Sequence, residues 1–287
     1  MSNTLAIDIG GTKLALAVFS DGQIIRRAKW TTNRELGPAA ALPEMIAIAQ
    51  GWKKEVGFDR CGVGFGGPVD FANQRVALST HIAGWDGLPL RDRLQDALGV
   101  PTVIDNDANV GALGEAQFGA GVGYRPMFYM TVSTGIGGGL ILDDHSIYRG
   151  ANGWACEIGH MTIRPDGPAC LCGSNGCLER MCCGLWLERD YGKPPSELFT
   201  DAAFVKRYVV DLALGIKAAL MLLNPARVVI GGGISQAGDR LFVPLREELA
   251  RQWPHWSGAR TDVVQAALGG DSVLWGACAL AEFIPTS

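Results

Sequence analysis

Near its amino terminus the chain reads Leu5-Ala-Ile-Asp8-Ile9-Gly10-Gly11-Thr12-Lys13-Leu14-Ala-Leu-Ala-Val-Phe19. Two apolar segments flank a glycine-rich turn, a pattern that predicts a β-hairpin. The turn offers bare backbone N–H groups, a hydroxyl and an amine, which together suit a phosphate group. Asp8, at the end of the first strand, is a suitable magnesium ligand, directly or through water. Taken alone, the segment also fits a plain tight turn.

The same pattern occurs a second time in the chain. An apolar strand over residues 127–132 leads into Ser133-Thr134-Gly135-Ile-Gly137-Gly138-Gly139, and Leu140 begins the return strand. Two such hairpins, roughly 125 residues apart, predict a duplicated architecture that holds a nucleotide between two like halves. The sequence contains neither Gly-x-x-x-x-Gly-Lys-Ser/Thr nor a strand followed by Gly-x-Gly-x-x-Gly, so the common nucleotide-binding alternatives are weak.

Charge and length favour a small-molecule partner. The 287 residues include 25 basic and 29 acidic residues, which gives no argument for nucleic acid or an anionic membrane. A chain of this length forms one large domain or two. The amino terminus lacks the basic start of an export signal. The longest uncharged run, residues 126–142, is shorter than the roughly 20 apolar residues that span a bilayer. We therefore expect a cytoplasmic protein.

A further group of functional side chains lies between Glu157-Ile-Gly-His160 and Cys170-Leu-Cys172-Gly-Ser-Asn-Gly-Cys177-Leu-Glu179. Three thiols and an imidazole make the Cys₃His set of a structural zinc site, and the glycines let the backbone curl around one ion. The alternatives are ordinary residues of a glycine-rich loop, or a disulfide. Without an export signal the eight cysteines are expected to be reduced, and clustered reduced thiols more often bind metal. The predicted zinc ligands are His160, Cys170, Cys172 and Cys177.

This motif resembles the zinc motif of the ROK family (repressor, open reading frame, kinase), whose enzymes phosphorylate hexoses and N-acetylhexosamines. The resemblance runs from Ile7 to about Ala281. It implies an α/β protein with the two-lobed, actin/hexokinase-like (ribonuclease H-like) ATPase fold and a central cleft. We expect residues 1–110 plus 272–287 to form a small N-terminal lobe. Residues 111–271 are then the large lobe, with the zinc loop and a dimer interface.

Polar residues follow a third apolar strand, which covers residues 100–104. The sequence there is Asp105-Asn106-Asp107-Ala-Asn109, and a helix is predicted from Val110 to Phe118. Ligands bind at such strand ends in open α/β sheets. Capping of the helix is the alternative, because Asp and Asn are favoured N-caps. The resemblance implies that Asn106 binds sugar hydroxyl groups and that Asp107 is the catalytic base.

Some segments depart from the family pattern or carry little signal. Gly66 stands where family members usually have proline, and His81 where asparagine is common, so the sugar-facing loop differs. A Gly231-Gly232-Gly233 turn after a strand over residues 227–230 resembles the adenosine motif of this fold. Cys182 and Cys183 are predicted to be free buried thiols. No local pattern is assigned to residues 185–197.

The resemblance implies ATP-dependent phosphorylation of a hexose, with glucose at its 6-hydroxyl favoured. N-acetylmannosamine, N-acetylglucosamine and fructose are the alternative acceptors. A sugar-responsive repressor is less expected, because the first hairpin already starts at Leu5 and leaves no winged helix-turn-helix in front. ATP, magnesium and a structural zinc ion are the expected cofactors, and a homodimer is the expected assembly.

The resemblance also implies which residues bind zinc, the sugar, ATP and magnesium. One nitrogen of His160 is predicted to bind zinc while the other faces the sugar, which makes the metal a positioning element. The predicted sugar ligands are Gly67, Asn106, Asp107, Glu157, His160 and Glu179. The predicted ATP and magnesium residues are Asp8, Gly10, Gly11, Thr12, Lys13, Thr134, Gly135, Gly137, Gly138, Gly232 and Gly233.

Overall fold

The computed structural model describes residues 3–79, 82–255 and 261–284. The chain forms two compact units. Unit 1 comprises Met1–Gln117, Arg149–Ala155 and Asp271–Ser287, and unit 2 comprises Phe118–Tyr148 and Cys156–Gly270. The sequence places the boundaries after residue 110 and before residue 272, whereas residues 111–117 and 149–155 also group with unit 1. His81 lies outside the described residues.

Unit 1 is built on a five-stranded sheet with the order β3-β2-β1-β4-β7. Its strands are β1 (Thr4–Ile9), β2 (Lys13–Ser20), β3 (Gln23–Thr31), β4 (Arg60–Phe65) and β7 (Thr102–Asn106). The first three strands are antiparallel, and β4 and β7 run parallel to β1. Two short strands, β5 (Val69–Asp70) and β6 (Arg75–Val76), pair separately. The helices are α1 (Pro38–Glu55), α2 (Leu90–Leu98), α3 (Asp107–Phe118) and α9 (Ser272–Ala281).

Unit 2 is built on a four-stranded sheet with the order β11-β10-β8-β9. Its strands are β8 (Met127–Val132), β9 (Ile136–Ile141), β10 (Arg227–Gly231) and β11 (Asp262–Gln265). The helices are α4 (Leu178–Cys182), α5 (Gly184–Tyr191), α6 (Pro195–Leu198), α7 (Ala202–Leu223) and α8 (Asp239–Gln252). Of the helices in the described part of the chain, none is both long and apolar enough to cross a membrane.

The two sheets share one topology. In each sheet, the first strand of an antiparallel hairpin has the hairpin's second strand on one side. On its other side lie two further strands, both parallel to it. Strands β2-β1-β4-β7 of unit 1 therefore correspond to β9-β8-β10-β11 of unit 2. The duplication predicted from the two glycine-rich hairpins is confirmed.

Apolar strands and close helix contacts form the two cores. All six residues of β1 are buried, as expected for a central strand with both faces covered. Helix α9 packs on β4 and β1 in unit 1 and also lies against α3, and glycines permit both close approaches. A Cβ atom on Gly276 would lie 1.7 Å from the Val110 carbonyl oxygen, and one on Gly62 would lie 1.9 Å from that of Ala277. No larger residue fits at either position without movement of the backbone.

Local sequence features mark both ends of helix α7, whereas the segment before it carries no such pattern. Helix α7 begins at Ala202, after Asp201 accepts a hydrogen bond from the Ala203 N–H at 2.8 Å. It ends at Asn224, which adopts a left-handed conformation before Pro225. Residues 185–197, to which no pattern was assigned, lie largely in α5 and α6. Cys182 and Cys183 are free and fully buried, so the prediction for this pair is confirmed.

Candidate active site

Three predicted segments meet at one edge of the unit 1 sheet. Because β1, β4 and β7 are parallel, their carboxyl ends lie side by side, and Ile9 pairs with Phe65. The N–H of Gly66 donates to the carbonyl oxygen of Ile9 at 2.8 Å. A Cβ atom on Gly66 would lie 3.5 Å from Asp107 Oδ2. The structure thus brings together the first hairpin, the Gly66–Gly67 turn and Asp107.

Gly66 changes the backbone bonding of this edge. The family resemblance implies a proline at this position, and a proline has no N–H and could not donate to Ile9. Gly66 therefore permits a hydrogen bond between the Gly66–Gly67 turn and the first hairpin.

Asp8 is a buried carboxylate at the base of the first turn. It is 2% exposed, and Lys13 Nζ lies 3.2 Å from Oδ2 as an ion pair. Burial raises the pKa of Asp8, and the charge of Lys13 opposes that rise. Within the described part of the chain, Oδ2 accepts no hydrogen bond of proper geometry. A buried, charged oxygen of this kind fits a magnesium ion or its bound water.

Thr32 fixes the first turn from outside the hairpin. Its hydroxyl donates to the Gly10 carbonyl oxygen at 2.8 Å, and its N–H donates to that of Thr12 at 3.0 Å. Thr32 thereby engages the carbonyl oxygens of Gly10 and Thr12, in addition to the ion pair that the Lys13 side chain makes with Asp8. Thr32 could not be predicted as part of the site, because a lone threonine at a strand end is common.

Asn106 caps helix α3. Its Oδ1 accepts from the N–H groups of Ala108 at 2.9 Å and Asn109 at 3.2 Å, which is N-cap geometry. Its Nδ2 donates to the Gly67 carbonyl oxygen at 3.0 Å. The capping alternative therefore holds for this residue. One amide hydrogen stays available to a ligand, because the amide carries two.

Asp105 and Arg149 hold the junction that presents Asp107. Asp105 is 2% exposed and accepts from the Asn106 N–H at 2.8 Å and from Asn109 Nδ2 at 3.1 Å. Arg149 Nε lies 2.8 Å from Asp105 Oδ2, and its guanidinium stacks over the Phe71 ring at 3.7 Å. Burial raises the pKa of Asp105, and Arg149 opposes that rise. Arg149 could not be predicted as a site residue, since no local pattern links it to residue 105.

We expect Arg149→Met to destabilise the protein by about 3 kcal/mol at pH 8, because it leaves the Asp105 charge buried without a partner. The loss should be smaller at pH 5. A carboxyl whose pKa is raised in the folded state favours folding most at low pH, where it is protonated, and that stability is lost as pH rises through the raised pKa. Chemical denaturation at both pH values measures this.

Arg149→Lys is the matched control, since it keeps the charge and loses the planar stacking. It should be less destabilised at pH 8 and should show a weaker pH dependence than Arg149→Met. Equal losses for Arg149→Met at pH 5 and pH 8 would contradict the role given to Asp105.

In unit 2 the second turn and the glycine triplet meet at one sheet edge. Strands β8 and β10 are parallel, and Gly231 pairs with Thr131. Gly232 has φ 83°, and a Cβ atom on it would lie 2.4 Å from the Val132 carbonyl oxygen. A Cβ atom on Gly233 would have Ser133 Oγ as its nearest neighbour, at 3.8 Å. Both predicted nucleotide segments of this unit are therefore adjacent.

The second turn is shorter than predicted. Strand β9 begins at Ile136, so Gly137 and Gly138 lie in the strand and the prediction of a turn through Gly139 is wrong. A Cβ atom on Gly138 would lie 2.5 Å from the Cys156 carbonyl oxygen and 2.9 Å from the Phe128 ring. Gly138 thus serves close packing, which a glycine-rich sequence does not distinguish from a turn.

Ile136 is contacted by Glu179 and lies beside the segment that carries Glu157 and His160. Glu179, 6% exposed, accepts from the Ile136 N–H through Oε2 at 2.8 Å. A short 3₁₀ helix, Ile158–His160, follows Glu157, and a Cβ atom on Gly159 would lie 2.2 Å from the Ile136 carbonyl oxygen. Burial raises the pKa of Glu157, His160 lowers it, and Glu179 raises it further, so these groups interact. Glu179 also orients the second hairpin, which the sequence did not predict.

The four predicted zinc ligands converge. Their ligand atoms all lie within 4.8 Å of one another. His160 Nδ1 is 3.8 Å from Cys170 Sγ, and Cys172 Sγ is 3.6 Å from Cys177 Sγ. Tetrahedral zinc with Zn–S bonds of about 2.3 Å separates its sulfur ligands by roughly 3.8 Å. All eight cysteines are free, so the disulfide alternative is wrong. The donor set and spacing fit zinc, and Nδ1 is the ring nitrogen of His160 that lies beside Cys170.

Cys156, next to Glu157, adopts a left-handed backbone with φ 65°. A side chain in this conformation costs about 1 kcal/mol relative to glycine. We therefore expect Cys156→Gly to be more stable than Cys156→Ala by about 1 kcal/mol. Urea denaturation of the two variants measures the difference. Both lose the thiol, so the comparison isolates the backbone, and an alanine variant as stable as the glycine variant would contradict the strain.

Residues 4–283 match the model of the ROK family. The glucokinase of Halalkalibacterium halodurans is 35% identical in a gapped alignment of length 280 that covers 85% of this chain and 84% of that protein. The glucokinase of Thermotoga maritima is 32% identical in a gapped alignment of length 310 that covers 96% of each chain.

Among solved structures, the chain is similar to a ROK family glucokinase from Streptomyces griseus in complex with glucose and AMPPNP. That structure has a TM-score of 0.85 and 29% identity, over 98% of this chain and 99% of the other. The likeness confirms the predicted actin- and hexokinase-like α/β fold class.

Proposed function

The chain belongs to the ROK family, and on this premise we propose that it transfers the γ-phosphoryl group of ATP to the 6-hydroxyl of glucose. Full-length similarity to glucokinases makes it an ATP-dependent sugar kinase, and supports glucose as the acceptor. The observation that carries the proposal is the grouping of Asp107 with the Gly66–Gly67 turn and the Asp8 hairpin at one sheet edge.

In the proposed reaction, Asp107 accepts the proton of the 6-hydroxyl group as its oxygen attacks the γ-phosphorus. The new O–P bond forms while the bond to the β-phosphate oxygen breaks, and ADP leaves. In phosphoryl transfer the protein contributes mainly by positioning the reactants and by stabilising charge. The cap of α3 and the Asp105–Arg149 pair provide the positioning, since they fix the strand–helix junction to which Asp107 belongs.

ATP is proposed to bind through backbone groups of both glycine-rich turns. In unit 1, Gly11 and Thr12 supply N–H groups and Lys13 an ammonium, beside Asp8, whereas the N–H of Gly10 donates to the Lys13 carbonyl oxygen and shapes the turn. In unit 2, Thr134, Gly135, Gly232 and Gly233 lie at the adjacent ends of β8 and β10. When bound near Asp8, a magnesium ion would neutralise part of the phosphate charge. Gly137 and Gly138 lie in β9 and are proposed to contribute to the ATP site only through the shape of that strand.

The sugar is proposed to be recognised by some groups that donate hydrogen bonds to its hydroxyls and others that accept hydrogen bonds from them. Asn106 offers its remaining amide hydrogen, and Gly67 allows close approach of the backbone. Glu157 and the second oxygen of Glu179 accept hydrogen bonds, and Nε2 of His160 is the ring nitrogen not used for metal. A structural zinc ion bound by His160, Cys170, Cys172 and Cys177 is proposed to fix the loop between these acids.

A coupled ADP-release assay over a panel of hexoses and N-acetylhexosamines tests the function. We expect glucose to give the highest kcat/KM, and no ADP release above background without sugar. A preference for N-acetylmannosamine, N-acetylglucosamine or fructose would replace glucose as the acceptor. The kinase proposal fails if no sugar stimulates ADP release by the zinc-loaded protein.

A cytoplasmic homodimer is proposed from the family resemblance. Light scattering after size-exclusion chromatography measures the assembly, and a monomer at micromolar concentration would contradict it.

A further inference from the structure

A cavity of about 250 Å³ lies in unit 2, between helices α4, α5 and α7. None of its lining residues belongs to the predicted sugar, nucleotide or zinc set. Its volume is below that of sites for drug-sized ligands, and suits a molecule of monosaccharide size. The lining residues used in the argument below are Arg180, Asp190, Tyr191, Phe204, Arg207 and Asp211.

The cavity combines aromatic and charged groups. The ring of Phe204 packs edge-on against Tyr191 with centroids 5.3 Å apart, and Tyr191 is 50% exposed. Arg180 makes a two-point ion pair with Asp190, at 2.7 and 3.2 Å. Asp211 is held by Arg164 at 2.7 Å. Each carboxylate is engaged by a single guanidinium, so lone pairs are left for hydroxyl donors.

Arg207 supplies an uncompensated positive charge at this cavity. It is exposed, and no carboxylate in the described part of the chain lies within ion-pair distance of it. Arg180, the other arginine of the lining, is paired with Asp190, and Arg164, outside the lining, is paired with Asp211. Free carboxylate lone pairs favour a ligand with hydroxyl groups, and one free guanidinium favours a ligand with one anionic group.

Helix α4 links the cavity to the second hairpin. This five-residue helix follows the zinc ligand Cys177 directly, and Arg180 lies in it next to Glu179. Glu179 holds the Ile136 N–H of the hairpin. Tyr208, from α7, donates its hydroxyl to the Cys182 carbonyl oxygen at 2.9 Å and so fixes the end of α4. A ligand that draws Arg180 from Asp190 therefore acts on the helix that positions the hairpin.

We propose that this cavity is an effector site for a small hydroxylated anion, and that its occupation changes the affinity for ATP. Two sources share this chemistry, a phosphorylated sugar and a sugar acid. The effect on ATP rests on the proposed function, whereas binding itself does not.

Calorimetry tests the binding. Glucose 6-phosphate, gluconate and inorganic phosphate are titrated separately into protein saturated with glucose and a non-hydrolysable ATP analogue, which blocks the active site. We expect glucose 6-phosphate or gluconate to bind with a Kd below about 1 mM. The ligand that binds identifies the source. Binding of phosphate as tightly as of both hydroxylated ligands, or of none of the three, would overturn the proposal.

Two surface variants assign the binding to the cavity. Arg207→Gln should weaken it at least tenfold, because it removes the free guanidinium. Lys206→Gln removes the same charge from the neighbouring exposed position, which is not part of the lining, and should leave Kd within twofold. Equal changes of Kd in the two variants would contradict the assignment of the binding site to this cavity.

Steady-state kinetics test the effector role. The ligand that binds should change KM for ATP at least threefold in the native protein and in Lys206→Gln, but not in Arg207→Gln. Binding without a change in KM would overturn the regulation. If the protein has no kinase activity at all, calorimetry still shows whether the cavity binds a ligand. Failure of the proposed function can therefore be distinguished from failure of the proposed effector site.

Discussion

Asp107→Asn lowers kcat for glucose-dependent ADP release by roughly a thousandfold, within the 10²–10⁴-fold range of general-base catalysis. The amide has nearly the shape of the carboxylate but cannot accept the proton of the sugar hydroxyl. Asp107 is the first residue of α3, and the cap of that helix comes from Asn106, so the backbone should not change. Glucose affinity, measured by calorimetry, should stay within about threefold.

Asp96→Asn is the matched control for this substitution. Asp96 is an exposed carboxylate on α2, in the same unit, and its loss should leave kcat unchanged within error. Turnover of Asp107→Asn within tenfold of the native rate would remove Asp107 from its role as the base.

Cys170→Ser and Cys172→Ser should each lose the metal, which is the second large effect. We expect about one zinc per chain in the native protein and nearly none in either variant, because a hydroxyl is a poor substitute for a thiolate ligand. Without zinc the loop between Glu157 and Glu179 has no fixed geometry, and kcat/KM for glucose should fall tenfold or more. Elemental analysis and kinetics on the same preparations measure both.

Cys278→Ser controls for loss of a thiol elsewhere. Cys278 is a free, half-buried cysteine in α9 of unit 1, and its replacement should retain zinc. Full zinc content in Cys170→Ser, or its absence from native protein grown with zinc, would contradict the assignment.

Short sequence patterns predicted those structural elements that depend mainly on interactions between residues close in sequence. An apolar run that ends in glycines and a phosphate-binding side chain specifies a hairpin wherever it occurs, and its repetition specified the duplicated sheets. Sequence spacing predicted that the three thiols of the proposed zinc site converge, because cysteines 170, 172 and 177 are too close in sequence to lie far apart.

Long-range polar contacts could not be predicted in this way. The Arg149–Asp105 pair joins residues 44 positions apart, and the grouping of residues 149–155 with unit 1 has no signature in the sequence. Glu179 was predicted as a sugar ligand from its motif, but its bond to the Ile136 N–H depends on tertiary packing. The start of β9 was misplaced for a different reason: glycine serves turns and tightly packed strands alike, as Gly138 does.

Identification of the product tests the central claim most directly. Purified protein is incubated with ATP, magnesium and uniformly ¹³C-labelled glucose, and the mixture is followed by ³¹P and ¹³C NMR. The account predicts glucose 6-phosphate, with phosphorus coupled to carbon 6, in a 1:1 ratio to ADP. ADP without a phosphorylated sugar, or phosphate on another carbon, would contradict it.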